Sequence, residues 1–313
     1  MKIAFLGGTR FIGHAAAALA AERGHDVLVL HRGKHPCELA AARPIAVDRQ
    51  DPSELCESLA RLAPDVLVDT RAMTRLDAEV TALAIKVLEL PIVLLSSVDV
   101  YAQFGLLNDL PAPAPEPLVT EGSPLTIPFP FRGIAGHDAG PDYDKKDVEE
   151  VIRGAVSEGA PGAITLRLPA VYGRRDYRRR FAALVDALDA GEHEIPCSGG
   201  ASFRISHAHV RDVAQAIVLA AEAKNSGFSI YNVGERSVPT MRERAESLAH
   251  AMNARFEWRE TTAVPPPFAL FGKQPTDFVL STEKIRTELG FQEITTPEER
   301  LADTIAWLRE SRS

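Results

Sequence analysis

The sequence has few of the features that mark secreted, membrane-bound or metal-binding proteins. It contains three cysteines in 313 residues, and their spacing matches neither a disulfide framework nor a metal site. No stretch of about 18 apolar residues lacks a charge, since the longest candidate, residues 80–98, contains Lys86 and Glu89. The apolar run after Lys2 ends within a few residues, so no signal peptide is expected. These absences predict reduced thiols, a cytoplasmic location, no bound metal and no membrane partner.

Positive charge is also scarce. The chain has 35 Lys and Arg against 43 Asp and Glu, which gives a net charge of −8. This balance makes nucleic acid an unfavoured partner, although bulk charge does not rule out a local basic patch. The length is sufficient for one large domain or two unequal ones.

The most informative stretch is IAFLGGTRFIG at residues 3–13. A short apolar strand breaks into two glycines, and an alanine-rich helix follows from about Phe11. Strand, glycine turn and helix in this order form a binding site for dinucleotide phosphates, because glycines allow close backbone approach and the helix N-terminus presents unpaired N–H groups. Gly7 and Gly13 stand at the two ends of a GxxGxxG frame, but Arg10 occupies its middle position. The loop therefore departs from the standard GxGxxG.

Strand-like and helix-like segments alternate along the first half of the chain. Strands are predicted at 2–6, 26–31, 65–69 and 91–97, and helices at 11–23, 52–62 and 74–89. This alternation indicates βαβ units and an α/β fold with a doubly wound parallel sheet. Residues 103–141 are too rich in proline for regular structure and are predicted to form a long loop. Further helices are predicted at 144–158, near 177–190 and from about 240, in a mixed last third.

Five motifs occur in the order found in one enzyme family: LGGTRFIG, LLSSVDVY, LRLPAVYG, HVRDVAQAI and IYNVGE. Together they resemble the extended short-chain dehydrogenase/reductase family, which includes nucleotide-sugar epimerases and dehydratases. The resemblance implies a Rossmann cofactor domain over residues 1–170 and a smaller, mixed substrate lobe over residues 171–313. Parts of the second region, such as 203–235, are expected to return to the first domain. The GGTRFIG form resembles an atypical branch that includes chloroplast stem-loop RNA-binding proteins.

By this resemblance, several groups of residues border the cofactor. The glycine loop contributes Gly7, Gly8, Thr9, Arg10, Phe11, Ile12 and Gly13, and the later strand ends contribute Asp48, Arg49, Asp69, Thr70, Arg71, Pro169 and Val171. For the segment that holds Asp48, a helix cap is the alternative interpretation, and it fits Asp51 better.

The end of the second strand predicts which dinucleotide binds. NAD enzymes usually place a carboxylate there for the ribose 2′-hydroxyl, whereas this chain has His31 and Arg32. A guanidinium can bind a 2′-phosphate, and Arg10 approaches the same corner from the glycine loop. NADP is therefore the preferred cofactor, with NAD as the alternative.

The family's catalytic set is a Ser or Thr, a Tyr, and a Lys four residues after the Tyr. Ser97 falls on the first position, and Lys145 and Lys146 are the candidate lysines after Tyr143. When Lys145 takes the family's lysine position, Pro141 falls where the tyrosine belongs. Two alternatives follow: Tyr143 lies before the helix on a non-helical turn and reaches the site from there, or the proton-transfer tyrosine is absent.

Arg174 and Arg204 are predicted to bind substrate, because family members often hold a diphosphate with an arginine in these regions. The predicted function is an NAD(P)-binding oxidoreductase, epimerase or dehydratase acting on a nucleotide-linked sugar or another small hydroxy or carbonyl compound. The alternatives are a cofactor-binding sensor or scaffold without catalysis, and an RNA-binding homologue. Extended members often form dimers, so a homodimer is one expectation.

Overall fold

The computed structural model describes residues 1–127 and 140–312. In these ranges the strands are β1 (Lys2–Leu6), β2 (Asp26–His31), β3 (Ala42–Ala46), β4 (Val66–Asp69), β5 (Ile92–Ser97), β6 (Ala163–Leu168), β7 (Ala170–Tyr172), β8 (Glu194–Cys197), β9 (His207–His209), β10 (Phe228–Asn232) and β11 (Glu257–Glu260). The α-helices are α1 (Phe11–Glu22), α2 (Pro52–Leu62), α3 (Arg75–Val87), α4 (Ala102–Leu106), α5 (Lys145–Ser157), α6 (Ala182–Asp189), α7 (Val210–Glu222), α8 (Met241–Ala251), α9 (Glu283–Leu289) and α10 (Pro297–Glu310). Within the described residues, no helix has the length and apolar character that a membrane crossing requires.

A seven-stranded sheet forms the centre of the molecule, in the order β10-β6-β5-β4-β1-β2-β3. Each neighbouring pair runs parallel. The register places Leu6 of β1 opposite Leu30 of β2 and Asp69 of β4, so these strands end at one common edge. The predicted doubly wound parallel α/β fold is confirmed.

Alternating side chains of the strands pack into separate cores on the two faces of the sheet. Ile3 and Phe5 face one core, which also contains residues of α1 and α7. Ala4 and Leu6 face the other, which contains residues of α2, α3 and α5. Helices therefore cover both faces, as a parallel sheet requires.

A third core belongs to the smaller lobe and includes residues of α6, α8 and α10. The chain does not stay there, because α7 packs against α1 and β10 pairs with β6 at the edge of the large sheet. The last third is thus interlaced with the first, while the domain boundaries at residues 170 and 171 stay a prediction.

Three segments differ from the secondary structure expected from the sequence. Helix α4 lies at the start of the segment predicted to lack regular structure, because the first proline there is Pro111 and residues 102–106 precede it. The helix expected near 177–190 begins only at Ala182, since Arg179 and Phe181 have positive φ values. Helix α10 was not predicted, although Thr296 and Glu299 form a capping box at its start. Residues 128–139 of the predicted long loop lie outside the described residues.

Candidate active site

The loop between β1 and α1 is packed so closely that two of its glycines cannot carry a side chain. Gly7 has a φ of +88°, and a Cβ there would overlap Thr70 Oγ1. A Cβ on Gly13 would lie 2.7 Å from the Cα of Gly8. Arg10 at the N-cap of α1 makes no side-chain cap hydrogen bond, so the first amides of the helix remain available to a ligand. This glycine cradle at a helix N-terminus fits the pyrophosphate of a dinucleotide.

The other cofactor candidates border this loop or the same sheet edge. Thr9 and Ile12 are half-buried on the loop, and Thr70 Oγ1 donates to the carbonyl of Leu6 at 3.1 Å. Pro169 and Val171 are buried where β6 gives way to β7. These residues therefore lie at the edge of the sheet where the parallel strands end, and their contact with the cofactor stays a prediction.

The end of β2 forms an exposed basic corner. Arg10 Nη1 lies 3.3 Å from His35 Nε2, and its guanidinium stands 5.3 Å from the ring centroid of Tyr177. Arg32 is exposed, and His31 is half-buried with its Nδ1 3.1 Å from the amide of Gly33. Arg10 is thus directed toward the loop that carries Arg32.

Arg49 and Asp69, both predicted to border the cofactor, form a buried ion pair with each other. Both terminal nitrogens of Arg49 donate to Asp69, each at 2.9 Å. Asp69 also accepts the amides of Arg71 and Ala72. The pair therefore supports the loop after β4, and the role of both residues beside the cofactor stays a prediction. Asp48 is exposed and accepts from the amide of Gln50.

The start of α5 determines where Tyr143 lies. Asp144 is the N-cap and accepts from the amides of Lys146 and Asp147, so the helix begins at Lys145. Tyr143 precedes the cap and is joined to Thr74 by an isolated antiparallel bridge. The geometry corresponds to the first alternative, a tyrosine on a non-helical turn before the helix.

From this turn the hydroxyl of Tyr143 reaches the end of β5. It donates to Asp99 Oδ2 at 2.9 Å, and the amide of Asp99 lies 3.4 Å from Ser97 Oγ. Lys145 is buried, and its Nζ donates to the carbonyls of Ala72 and Leu95 at 2.6 and 2.9 Å. The structure therefore brings Ser97, Tyr143 and Lys145 together.

Lys146 is directed elsewhere, toward the carbonyl of Thr126 at 3.5 Å. It is half-buried. Lys146 therefore contacts the segment that follows α4, whereas Lys145 lies at the site.

Burial perturbs the ionisable groups at this edge. It raises the pKa of Asp99 to about 6, against the opposing effects of Tyr143, Ser97 and Lys145. It raises the pKa of Tyr143 well above its usual range, and the charge of Asp99 adds to the effect. It lowers the pKa of Lys145 to about 8. Such shifts at a sheet edge are typical of active sites.

The two arginines predicted to bind substrate are already paired with carboxylates. Arg174 contacts Asp303 and Glu310 on α10, and Arg204 contacts Asp277 at 2.9 Å. Their predicted role in holding a diphosphate therefore has no support from the geometry. The positive charge of Arg178, four residues after Arg174, opposes the rise in the pKa of Tyr143.

Two residues of this site were missed in the sequence. Asp99 is the single carboxylate in the segment SSVDVY. A charged residue in a segment expected to be buried was the sign that could have identified it. Arg178 had no such signal, because the sequence does not distinguish it from its arginine neighbours.

A family model confirms the resemblance seen in the motifs. The model for the NAD dependent epimerase/dehydratase family matches residues 3–90 and 142–234, more than half of the chain. The chain belongs to this family. It is an NAD(P)-dependent enzyme of the extended short-chain dehydrogenase/reductase type.

Individual relatives are distant. A 2'-dehydrokanamycin reductase from Streptomyces kanamyceticus is 25% identical over 290 residues, covering 91% of this chain and 75% of the relative. The structure of MoeE5 in complex with UDP-glucuronic acid and NAD is similar with a TM-score of 0.74 at 19% identity, covering 99% and 100% of the two chains. A UDP-glucose 4-epimerase from Thermotoga maritima gives a TM-score of 0.75 at 17% identity, covering 100% of both. These two structures establish the fold alone.

We expect Gly13→Ala to weaken dinucleotide binding by about tenfold or more. The added methyl forces the loop away from Gly8, and overpacking of this kind destabilises by about 1–3 kcal/mol. Fluorescence titration with NADPH measures the effect. Gly154→Ala in α5 is the control, since nothing lies within 4 Å of the added atom. Unchanged affinity in Gly13→Ala would contradict the assigned cradle.

We expect Asp99→Asn to stabilise the protein at pH 7.5 and to have little effect at pH 4. The pKa of Asp99 is raised to about 6 in the folded state, so the unfavourable buried charge is absent below about pH 4 and fully present above pH 6. The gain is about 1–3 kcal/mol, measured by urea unfolding at both pH values.

Asp176→Asn is the matched control for this prediction. Asp176 is also buried, but it pairs with Arg180 at 3.0 Å, so its replacement should destabilise the protein at pH 7.5. Equal destabilisation by the two substitutions would show that the buried charge of Asp99 does not destabilise the folded protein.

Proposed function

We propose that this enzyme interconverts a carbonyl and a hydroxyl group on a small sugar-like substrate, with NADP as its preferred cofactor. The observation that carries the proposal is the convergence of Ser97, Tyr143 and Lys145 at the edge of the sheet beside the glycine cradle. A bound nicotinamide dinucleotide would supply or accept a hydride there. Tyr143 would transfer the proton at the substrate oxygen, and Ser97 would orient that oxygen.

Lys145 would act through its charge and position. Its ammonium group is held between the ends of β4 and β5 by two main-chain carbonyls. From there it supports a positive potential where the ribose and nicotinamide would lie, next to the loop of Arg71 and Ala72. Burial of the site strengthens such electrostatic effects, because the local dielectric is low.

The substrate class follows from the pairing of Arg174 and Arg204 with carboxylates. Two arginines paired with carboxylates favour a substrate without a diphosphate, such as 2'-dehydrokanamycin, for which the curated relative is named. A nucleotide-linked sugar is the second candidate, because the similar structures hold UDP-sugars. Both compounds are therefore used as probes below.

The alternative functions have less support. A sensor or scaffold without catalysis does not need a tyrosine and a serine placed together against a buried carboxyl group. An RNA-binding surface would need arginines that face solvent unpaired, whereas Arg175 pairs with Glu38 and Arg179 donates to the carbonyl of Leu308.

The homodimer and the cytoplasmic location are also proposals. Leu83 and Val87 on α3 are 47% and 64% exposed, and this surface would bury apolar area in a dimer. Sedimentation should give twice the 34.0 kDa chain mass, and a monomer at micromolar concentration would contradict the dimer.

Three unpaired cysteines fit a reducing compartment. Cell fractionation tests the location, which recovery outside the cytoplasm would contradict.

We expect NADPH to bind about tenfold or more tightly than NADH, and Arg32→Ala to remove the difference. A charge-assisted hydrogen bond to the 2′-phosphate is worth about 1.5–3 kcal/mol. Fluorescence titration with both nucleotides decides this. Arg61→Ala, an exposed arginine on α2, is the control. Tighter binding of NADH by the wild-type protein would refute the NADP preference.

We expect Tyr143→Phe and Lys145→Ala to lower turnover by about 100-fold or more, because positioned proton transfer contributes about that much. The assay follows NADPH absorbance with 2'-dehydrokanamycin, and NAD reduction with UDP-glucose. Tyr231→Phe, which loses a hydrogen bond to Glu288 of α9 beside the edge strand β10, is the control. Full turnover by Tyr143→Phe would exclude the tyrosine as the proton-transfer group.

A further inference from the structure

Asp99 is a buried acid that contacts Tyr143 directly, and one of its two carboxyl oxygens is unsatisfied. Its Oδ2 accepts from the Tyr143 hydroxyl, but its Oδ1 is buried without a hydrogen-bond partner in the described part of the chain. A buried, unpaired carboxylate oxygen is destabilising and rare in folded proteins. A functional role would explain why this position holds an acid.

The position of Asp99 changes what Tyr143 can do. In the family pattern a lysine four residues after the tyrosine lowers the pKa of the phenol. Here Lys145 follows by two residues, and its Nζ is held by the carbonyls of Ala72 and Leu95. The hydroxyl of Tyr143 contacts a carboxyl group instead. A phenolate beside a carboxylate is unfavourable, so the proton stays on the tyrosine.

We propose that Asp99 is the positioning residue of Tyr143, which makes Tyr143 a proton donor and directs the site toward carbonyl reduction. The inference rests on the proposed function and deepens it, since it assigns the direction of the reaction and a residue that acts through the tyrosine. Asp99 holds the hydroxyl in place by one hydrogen bond and returns a proton to it.

The proton transfers balance in the following way. A reduced nicotinamide dinucleotide, held by the loop of Gly7 and Gly13, would supply the hydride that the carbonyl carbon gains, and it would itself be oxidised. As the carbonyl oxygen gains charge, the Tyr143 O–H bond breaks and the proton joins that oxygen. For this the phenol O–H turns from Asp99 to the substrate oxygen, and protonated Asp99 donates to the tyrosine oxygen across the same contact. As the phenol proton leaves, the Asp99 O–H bond breaks and its proton joins the tyrosine oxygen. Asp99, now a carboxylate, takes a proton from solvent before the next turnover.

This relay requires protonated Asp99, so reduction should slow as the pH rises through about 6. The groups that act on Asp99 are Tyr143, Ser97 and Lys145, which lower its pKa, and Glu149, which raises it along with burial. Burial and Asp99 raise the pKa of the Tyr143 phenol, and the charge of Arg178 opposes that rise. Because protonated Asp99 is the active form, the profile of reduction rate against pH declines on the alkaline side.

Carbon-13 NMR of protein labelled at tyrosine Cζ tests the coupling without any substrate. The chain has five tyrosines, and Tyr143 is assigned by the signal that Tyr143→Phe loses. We expect its shift to titrate with a midpoint near pH 6 as Asp99 ionises. We expect no phenolate up to pH 10.5.

Asp99→Asn should remove the inflection near pH 6 and lower the phenolate midpoint by about one unit or more. Asp176→Asn, at another buried aspartate, should retain the inflection. Should Asp99→Asn fail to fold, the wild-type titration alone decides. An ordinary phenol midpoint near pH 10, or no inflection between pH 5 and 7, overturns the proposal.

The rate of NADPH oxidation with 2'-dehydrokanamycin gives the functional readout. We expect the wild-type rate to fall above about pH 6 and the Asp99→Asn rate to be lower and flat between pH 5 and 7.5. An unchanged profile in Asp99→Asn counts against the relay. Failure to bind NADPH, or absence of turnover, contradicts the proposed function instead, and the NMR titration still decides the coupling of Asp99 to Tyr143.

Discussion

The parallel pairing of β1, β4 and β5 is the constraint on which the site depends. Because the three strands run in one direction and in fixed register, their carboxyl ends meet at one edge of the sheet. Gly7, Thr70 and Ser97 follow those ends, so residues far apart in sequence become neighbours. Loops at such an edge can bind a ligand without disturbing the two cores on either face of the sheet.

Buried charge holds this edge in shape. The ion pair of Arg49 and Asp69 fixes the loop after β4, and the carbonyl of Ala72 in that loop binds Lys145. A second buried pair joins Arg167 of β6 to Glu149 of α5 at 2.6 Å. Removing one partner of a buried ion pair typically destabilises a protein by about 3–5 kcal/mol. These two pairs therefore hold the edge in place, and we expect their residues to tolerate substitution poorly.

Local patterns predicted the sheet and the cofactor loop well, because strand, glycine turn and helix lie within one short segment. The position of Tyr143 was left open, since family spacing put a proline where the tyrosine belongs. The cap at Asp144 was the local signal that sets the start of the helix. Contacts between distant residues had no signal at all. Tyr143 and Asp99 lie 44 residues apart, and Arg174 and Glu310 lie 136 apart.

In the proposed mechanism, Tyr143 transfers its proton from a turn before α5, beside Asp99 and Ser97. A crystal structure with NADP bound tests this most directly, because it locates the nicotinamide relative to the tyrosine hydroxyl. We expect the pyrophosphate on the loop of residues 7–13 and the nicotinamide ring facing Tyr143, with Ser97 on the same side. A nicotinamide ring that lies away from Tyr143, with another side chain at its reactive face, would contradict the account.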